Sequence, residues 1–120
     1  MRLIFTLLVL AATARAHHSF ASEYDIDKPV RLAGTIARID FSNPHTHIYL
    51  DVGATEWSIE AASPNALLRR GFHKQSAPPG TRVIIDAYQA KSGPGKASAR
   101  DIVLPGGYIF LLGTFSEGVK

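Results

Sequence analysis

Cysteine is absent from the 120 residues. That excludes disulfides, thiolate metal ligands, thiol nucleophiles and dithiol redox pairs, and leaves histidine, carboxylate and backbone groups as the only means of holding a metal ion. Other signatures are missing as well. No Gly-x-Ser-x-Gly elbow surrounds Ser19, Ser58 or Ser63, so a hydrolase nucleophile is not legible. The stretch "SGPGKAS" has a lysine among glycines but lacks the spacing and the strand-to-helix setting of a phosphate loop. It reads as a mobile rim loop. The apolar run Leu3–Ala12 is about half of the roughly 20 residues that a membrane-spanning helix needs.

What is present at the start has a different reading. "MRLIFTLLVLAATARA" places one early positive charge at Arg2, then the apolar run, then small residues, the pattern of a secretory signal peptide. Cleavage after Ala16 releases a chain beginning at His17. Cleavage after Ala14 also fits but leaves a basic residue, Arg15, at the new terminus, so the first site is favoured. The expected organisation is a signal peptide over 1–16, a lead-in over 17–29 and one β domain over 30–120. The expected location is periplasmic or secreted, with no membrane anchor after cleavage. Arg2 and Arg15 leave with the signal, so the 13 basic and 10 acidic residues of the whole chain become 11 against 10. Nucleic-acid binders show a basic excess, and this domain does not.

Alternation then organises the chain. A long strand candidate runs from Val30 to Phe41. Its apolar positions begin on even numbers (Val30, Leu32, Ile36) and continue on odd ones (Ile39, Phe41). A change of parity within one strand predicts a bulge or sharp bend, with Gly34 suited to strong curvature. His45–Val52 alternates, with Ile48, Leu50 and Val52 opposite His45, His47, Tyr49 and Asp51. Glu56–Ala61 puts Trp57 and Ile59 on the core side, and "GAT" joins the two strands as a hairpin. "SPNALLRRG" is a short helix with Ser63 as cap, Pro64 in the first turn, Arg69 and Arg70 at the end and Gly71 closing it. Arg82–Ala90, Ser98–Leu104 and an added edge over Tyr108–Leu112 complete the set. Three strands, a helix and two strands, with a long bent first strand, predict an all-β fold: an OB-fold-like barrel of five to six strands. A small β-sandwich is the alternative.

The blocks "AHHSFASEYD", "NPHTHIYLDV", "SPNALLRRGF" and "ARDIVLPGG" together resemble a family of small exported bacterial proteins known as domain of unknown function 6152. The resemblance covers nearly the whole mature chain. It implies an exported single-domain β protein and supplies no activity, substrate or cofactor. In the family pattern the position of His47 is often aromatic, which makes His17, His18 and His45 the better candidates for a shared role.

The histidines carry the only legible chemistry. His45 and His47 share one strand face, with Cα atoms roughly 6.5–7 Å apart at the usual rise per residue. Two imidazoles at that spacing can converge on one ion, and Asp51 in the same row offers a carboxylate. A chain beginning at His17 adds more. A terminal histidine chelates through its α-amine and ring Nδ1, and one distant histidine completes a T-shaped set of three nitrogens, which favours copper(II). The candidate metal ligands are therefore His17, His45 and His47, with His18 as a substitute. The bland reading is that His45 closes the "NP" turn, His47 fills an exposed position and the terminus frays. No catalytic constellation stands out, and Glu56 and Glu60, four apart on one face, read as solvated. The expected function is a non-enzymatic exported binding module for a metal ion, with copper ahead of zinc. The alternative is a metal-free module contacting an envelope protein or a small anion, the latter through Lys91, Lys96 and Arg100 near the rim loop.

Overall fold

The computed structural model describes residues 20–114. A helical turn over 20–23 leads into six strands and one short helix: β1 (Tyr24–Asp40), β2 (His47–Val52), β3 (Thr55–Glu60), α1 (Pro64–Arg69), β4 (Arg82–Ala90), β5 (Lys96–Val103) and β6 (Ile109–Leu111). Among the described residues no helix is long and apolar enough to cross a membrane.

β1 is the spine. Its first half pairs with β4 and its second half with β2, and Thr35 is the handover, opposite Arg82 on one side and Asp51 on the other. The sheet order is β3-β2-β1-β4-β5-β6, and a parallel pairing of β3 with β5 joins the two arms. Five strands thus close in a ring, β1-β2-β3-β5-β4 and back to β1, with β6 added along the far half of β5. The all-β expectation holds, including the ring-like closure expected of an OB-like arrangement. Closure removes the long open edges on which other chains could pair.

The parity change in β1 has a definite cause. Ile36 lies opposite Leu50, and Arg38 lies opposite Tyr49. Ala37 is the extra residue of a bulge, so Leu32 and Ile36 point into the core before it and Ile39 packs on the core after it. A second bulge at Arg100 does the same on β5. Ala97 and Ala99 are buried before it and Ile102 after it, while the partner strand steps only from Ala87 to Asp86.

The core is built from these inward rows: Ile48 and Leu50, Trp57 and Ile59, Val83 and Ile85, with Ile102 and Leu112. The helix brings in Leu67 and leads to Phe72, both fully buried. Phe72 sits against Phe41 and Phe110, at ring separations of 6.3 and 5.7 Å. Ser63 caps the helix as its side chain predicts, accepting the Ala66 N–H at 3.3 Å.

The strand Arg82–Ala90 is found with the bounds expected from sequence and the second strand ends at Val52 as expected, while the other strand ends shift by one to six residues. The largest shift is at the start of β1, which begins at Tyr24 and not at Val30. Tyr24 pairs with Ala90, the register then slips, and pairing resumes at Pro29 opposite Tyr88. Residues 24–29, assigned above to a lead-in, therefore belong to the sheet.

Candidate functional site

The sheet register decides which polar groups meet. The β2–β3 hairpin turns on two residues, Gly53 and Ala54, with Val52 opposite Thr55. Gly53 sits at φ 59°, the left-handed conformation such tight turns require. The sequence reading of a three-residue connection would slip this register by one. With the observed turn, His47 stands directly opposite Glu60. Pairing continues past the end of β2: Thr46 N–H donates to the Ala62 carbonyl at 3.2 Å, and Ala61 N–H donates to the Thr46 carbonyl at 2.8 Å. Thr46 is buried, and His45 and His47 on either side of it are half-exposed.

His45 is thereby a diagonal neighbour of Glu60, a separation that long side chains can span. Its Nδ1 lies 2.6 Å from Glu60 Oε1. The other carboxylate oxygen, Oε2, accepts the hydroxyl of Tyr24 at 2.6 Å. Glu60 joins the start of β1 to the start of β2, and its side chain is 19% exposed. That environment differs from the solvated glutamate expected from sequence. Glu56 does match that expectation: it faces Arg38 at 3.7 Å on the surface.

Tyr24 is the buried member, 4% exposed. Its ring packs on Phe20 at 5.6 Å, and Phe20 in turn meets Tyr88 edge-on at 6.2 Å. Lys96 Nζ lies 5.8 Å from the Tyr24 ring and 3.7 Å from Glu23. The Lys91 N–H donates to the Glu23 carbonyl at 2.8 Å. The phenol therefore reaches across the β3–β5 junction, where parallel pairing is only three residue pairs long. Burial first, then the hydrogen bond to Glu60, then the charges of Glu60 and Glu23 push the Tyr24 phenol far above its ordinary value of 10.0.

A prediction follows for alkaline stability. A tyrosine whose folded-state value is raised contributes stability that is complete below the unfolded value. That stability is lost as pH rises from there toward the folded value. The loss begins near pH 10, at about 1.4 kcal/mol per pH unit for one phenol. Urea midpoints measured between pH 8 and 11 should fall more steeply for the native chain than for Tyr24→Phe. That variant keeps Glu23, Glu60 and Lys96 in place, so the difference isolates the phenol.

The structure brings together His45, Glu60 and Tyr24, with His47 across the strand pair from Glu60. His17 and His18 lie outside the described residues. Asp51 stands at the other end of β2, opposite Glu56, and does not join the histidines. Among the described residues there is no group of three or more His, Asp or Glu side chains that could by itself hold a metal ion. His73 is spent locally, its Nδ1 accepting the Gln75 N–H at 3.3 Å. Of the basic residues near the rim loop, Lys96 faces Glu23, and Arg100 faces Asp86 and Asp101.

Sequence reasoning missed Glu60 and Tyr24 because the pair is separated by 36 residues. A two-residue hairpin assignment at Gly53-Ala54 would have placed Glu60 opposite His47, which is the signal available without the structure.

These observations define a class: a small ring-closed β protein with a carboxylate shared between a buried phenol and a half-exposed imidazole. The family follows from comparison. The model of the family of unknown function DUF6152 matches residues 6–99, and the chain belongs to that family. No curated protein and no solved structure matches it significantly.

Proposed function

We propose that this protein is an exported periplasmic binding module that captures one transition-metal ion, copper(II) ahead of zinc, with His45 as its strand ligand. The observation that carries the reading is the 2.6 Å contact between Glu60 and His45 Nδ1. A carboxylate on one ring nitrogen keeps the proton there, fixes the ring and leaves Nε2 with its lone pair free. Metal-binding histidines are oriented in this way by their outer partners. The same carboxylate accepts the Tyr24 hydroxyl, so the side chains of Tyr24 and His45 meet at one group, and the residues before Phe20 precede Tyr24 by a short distance in sequence.

The described residues do not offer three clustered donors, so the remaining ligands come from the N-terminal segment. His17 supplies its α-amine and ring, and His18 is the substitute. His47 is the alternate strand donor. The role is buffering or delivery: a half-exposed site exchanges its ion with a partner more readily than a sealed one.

The test is native mass spectrometry of untagged protein purified from the periplasm, with one equivalent of copper(II), followed by electron paramagnetic resonance of the loaded form. A chain beginning at His17 should retain one copper with nitrogen hyperfine structure. His45→Ala, or one extra residue before His17, should abolish retention. Glu60→Gln should weaken binding by roughly 10- to 100-fold, the usual scale for an outer partner of a ligand. Undiminished copper retention by His45→Ala would overturn the reading.

A further inference from the structure

Next to His45, on the side of the helix, lies an open cleft of about 200 Å³ whose wall includes His45, Ser63, Arg69, Arg70 and Thr114. We propose that this cleft is a receptor for a small oxyanion, a carboxylate or a phosphate. The claim does not rest on metal binding, although His45 borders both sites.

Charge points to the ligand class. Two arginines, Arg69 and Arg70, line the cleft, and no acidic side chain is among its lining residues in the described part of the chain. Several surface cations elsewhere are matched by carboxylates: Arg31 and Arg100 by Asp86, Arg38 by Glu56 and Lys96 by Glu23. Arg69 has no ion pair or side-chain hydrogen bond among the described residues. A wall with two positive charges and no carboxylate among its described lining residues attracts an anion.

Donor geometry points the same way. Arg70 is pinned: its Nη1 donates to the carbonyls of Leu111 at 3.1 Å and Gly113 at 3.0 Å. One nitrogen is thus spent on β6 and the chain just beyond it. The rest of a rigid, planar donor fork has no hydrogen-bond partner among the described residues, and such a fork suits carboxylate and phosphate oxygens. Little side-chain entropy remains to be lost on binding. Ser63 Oγ accepts the Ala66 N–H at 3.3 Å, so its own O–H proton is available to donate.

Size narrows the class further. Sites for drug-sized molecules start at about 300 Å³, and this cleft is smaller. It suits an anion of a few heavy atoms, or the terminal carboxylate or phosphate of something larger whose remainder stays in solvent.

The experiment is a ¹⁵N NMR titration of the chelator-treated, metal-free exported chain with inorganic phosphate and, separately, with acetate, at constant ionic strength. Saturable shifts are expected at His45, Ser63, Ala66, Arg69 and Arg70. Arg69→Ala should weaken binding at least tenfold, and it removes no hydrogen bond among the described residues, so circular dichroism should report an unchanged fold. Arg82→Ala takes the same charge from an exposed position on β4 outside this cleft and should leave affinity within twofold. Tighter binding of acetate identifies a carboxylate ligand, and tighter binding of phosphate identifies a phosphate. Shifts that fail to saturate, or equal losses in the Arg69 and Arg82 variants, would overturn the proposal. Since no metal is present, the result is independent of whether copper binds.

Discussion

Gly34→Ala is expected to destabilise the protein by about 3 kcal/mol or more, beyond the usual cost of overpacking a core by one methyl group. A Cβ built at Gly34 would stand 2.3 Å from the Asp51 carbonyl oxygen, 3.1 Å from its carbon and 3.0 Å from Leu50 Cγ. Two of those three atoms are backbone, and they belong to β2 where it is locked by pairing on both sides. A flexible side chain could swing away, but a paired strand cannot. To admit the methyl group, β1 and β2 must separate at Thr35, the point where β1 passes from one partner strand to the other. In a domain of this size such a loss corresponds to a drop of roughly 12–24 °C in the melting midpoint.

Gly53→Ala is the informative comparison. Gly53 also needs to be glycine, but for its φ of 59°, and an added Cβ there meets nothing within 4 Å. Its cost is conformational, about 1–2 kcal/mol. Thermal unfolding followed by circular dichroism should therefore rank the native chain first, Gly53→Ala next and Gly34→Ala last by a wide margin. Equal losses in the two variants would mean that the close approach of β2 to Gly34 relaxes without cost.

The contrast also shows what can be read from a sequence. The parity switch between Ile36 and Ile39 is a local pattern, and the structure answers it with a bulge at Ala37 in the same interval. Ser63 and Pro64 specify the helix start through their own chemistry, so the cap was legible too. That Gly34 lies under the Asp51 carbonyl was not, because the strand pattern gives curvature without saying which backbone crosses it. The site divides in the same way. His45 stood out as a candidate by residue type alone. Glu60, the residue that orients it, looked like one member of a solvated pair until Tyr24 arrived from 36 positions away. Arg69 and Arg70 were explained fully by the end of a helix. Only the fold places them in one cleft with His45.

The second large effect is expected at Glu60. Replacing it with alanine leaves the buried Tyr24 hydroxyl with no acceptor and releases His45 Nδ1, at a cost of about 2–3 kcal/mol. Tyr24→Phe removes one donor and leaves the carboxylate its other partner, at a cost of about 1–2 kcal/mol. The two residues touch, so their effects should not add. In the double variant neither group is stranded, and the loss should fall short of the sum by about 1 kcal/mol or more. The location of the damage matters as much as its size. Residues 20–24 are held by Tyr24 opposite Ala90, by the Lys91–Glu23 backbone bond and by the phenol on Glu60, and between Tyr24 and Pro29 the register with β4 is broken. With Glu60 gone, that stretch loses the phenol–carboxylate bond that ties it to β3. Hydrogen exchange should then accelerate at Glu23, Tyr24 and Lys91 while Ile85 and Ile102 in the core keep their protection. Glu60→Gln tests whether charge or shape matters, because an amide oxygen can still accept the phenol but no longer provides two equivalent acceptors. If Glu60→Gln restores slow exchange at Tyr24 and still loosens His45, the carboxylate serves the imidazole as a charge and the phenol only as an acceptor. Uniform acceleration across the sheet in Glu60→Ala would instead make Glu60 a support for the whole ring, and its contact with His45 would then be incidental.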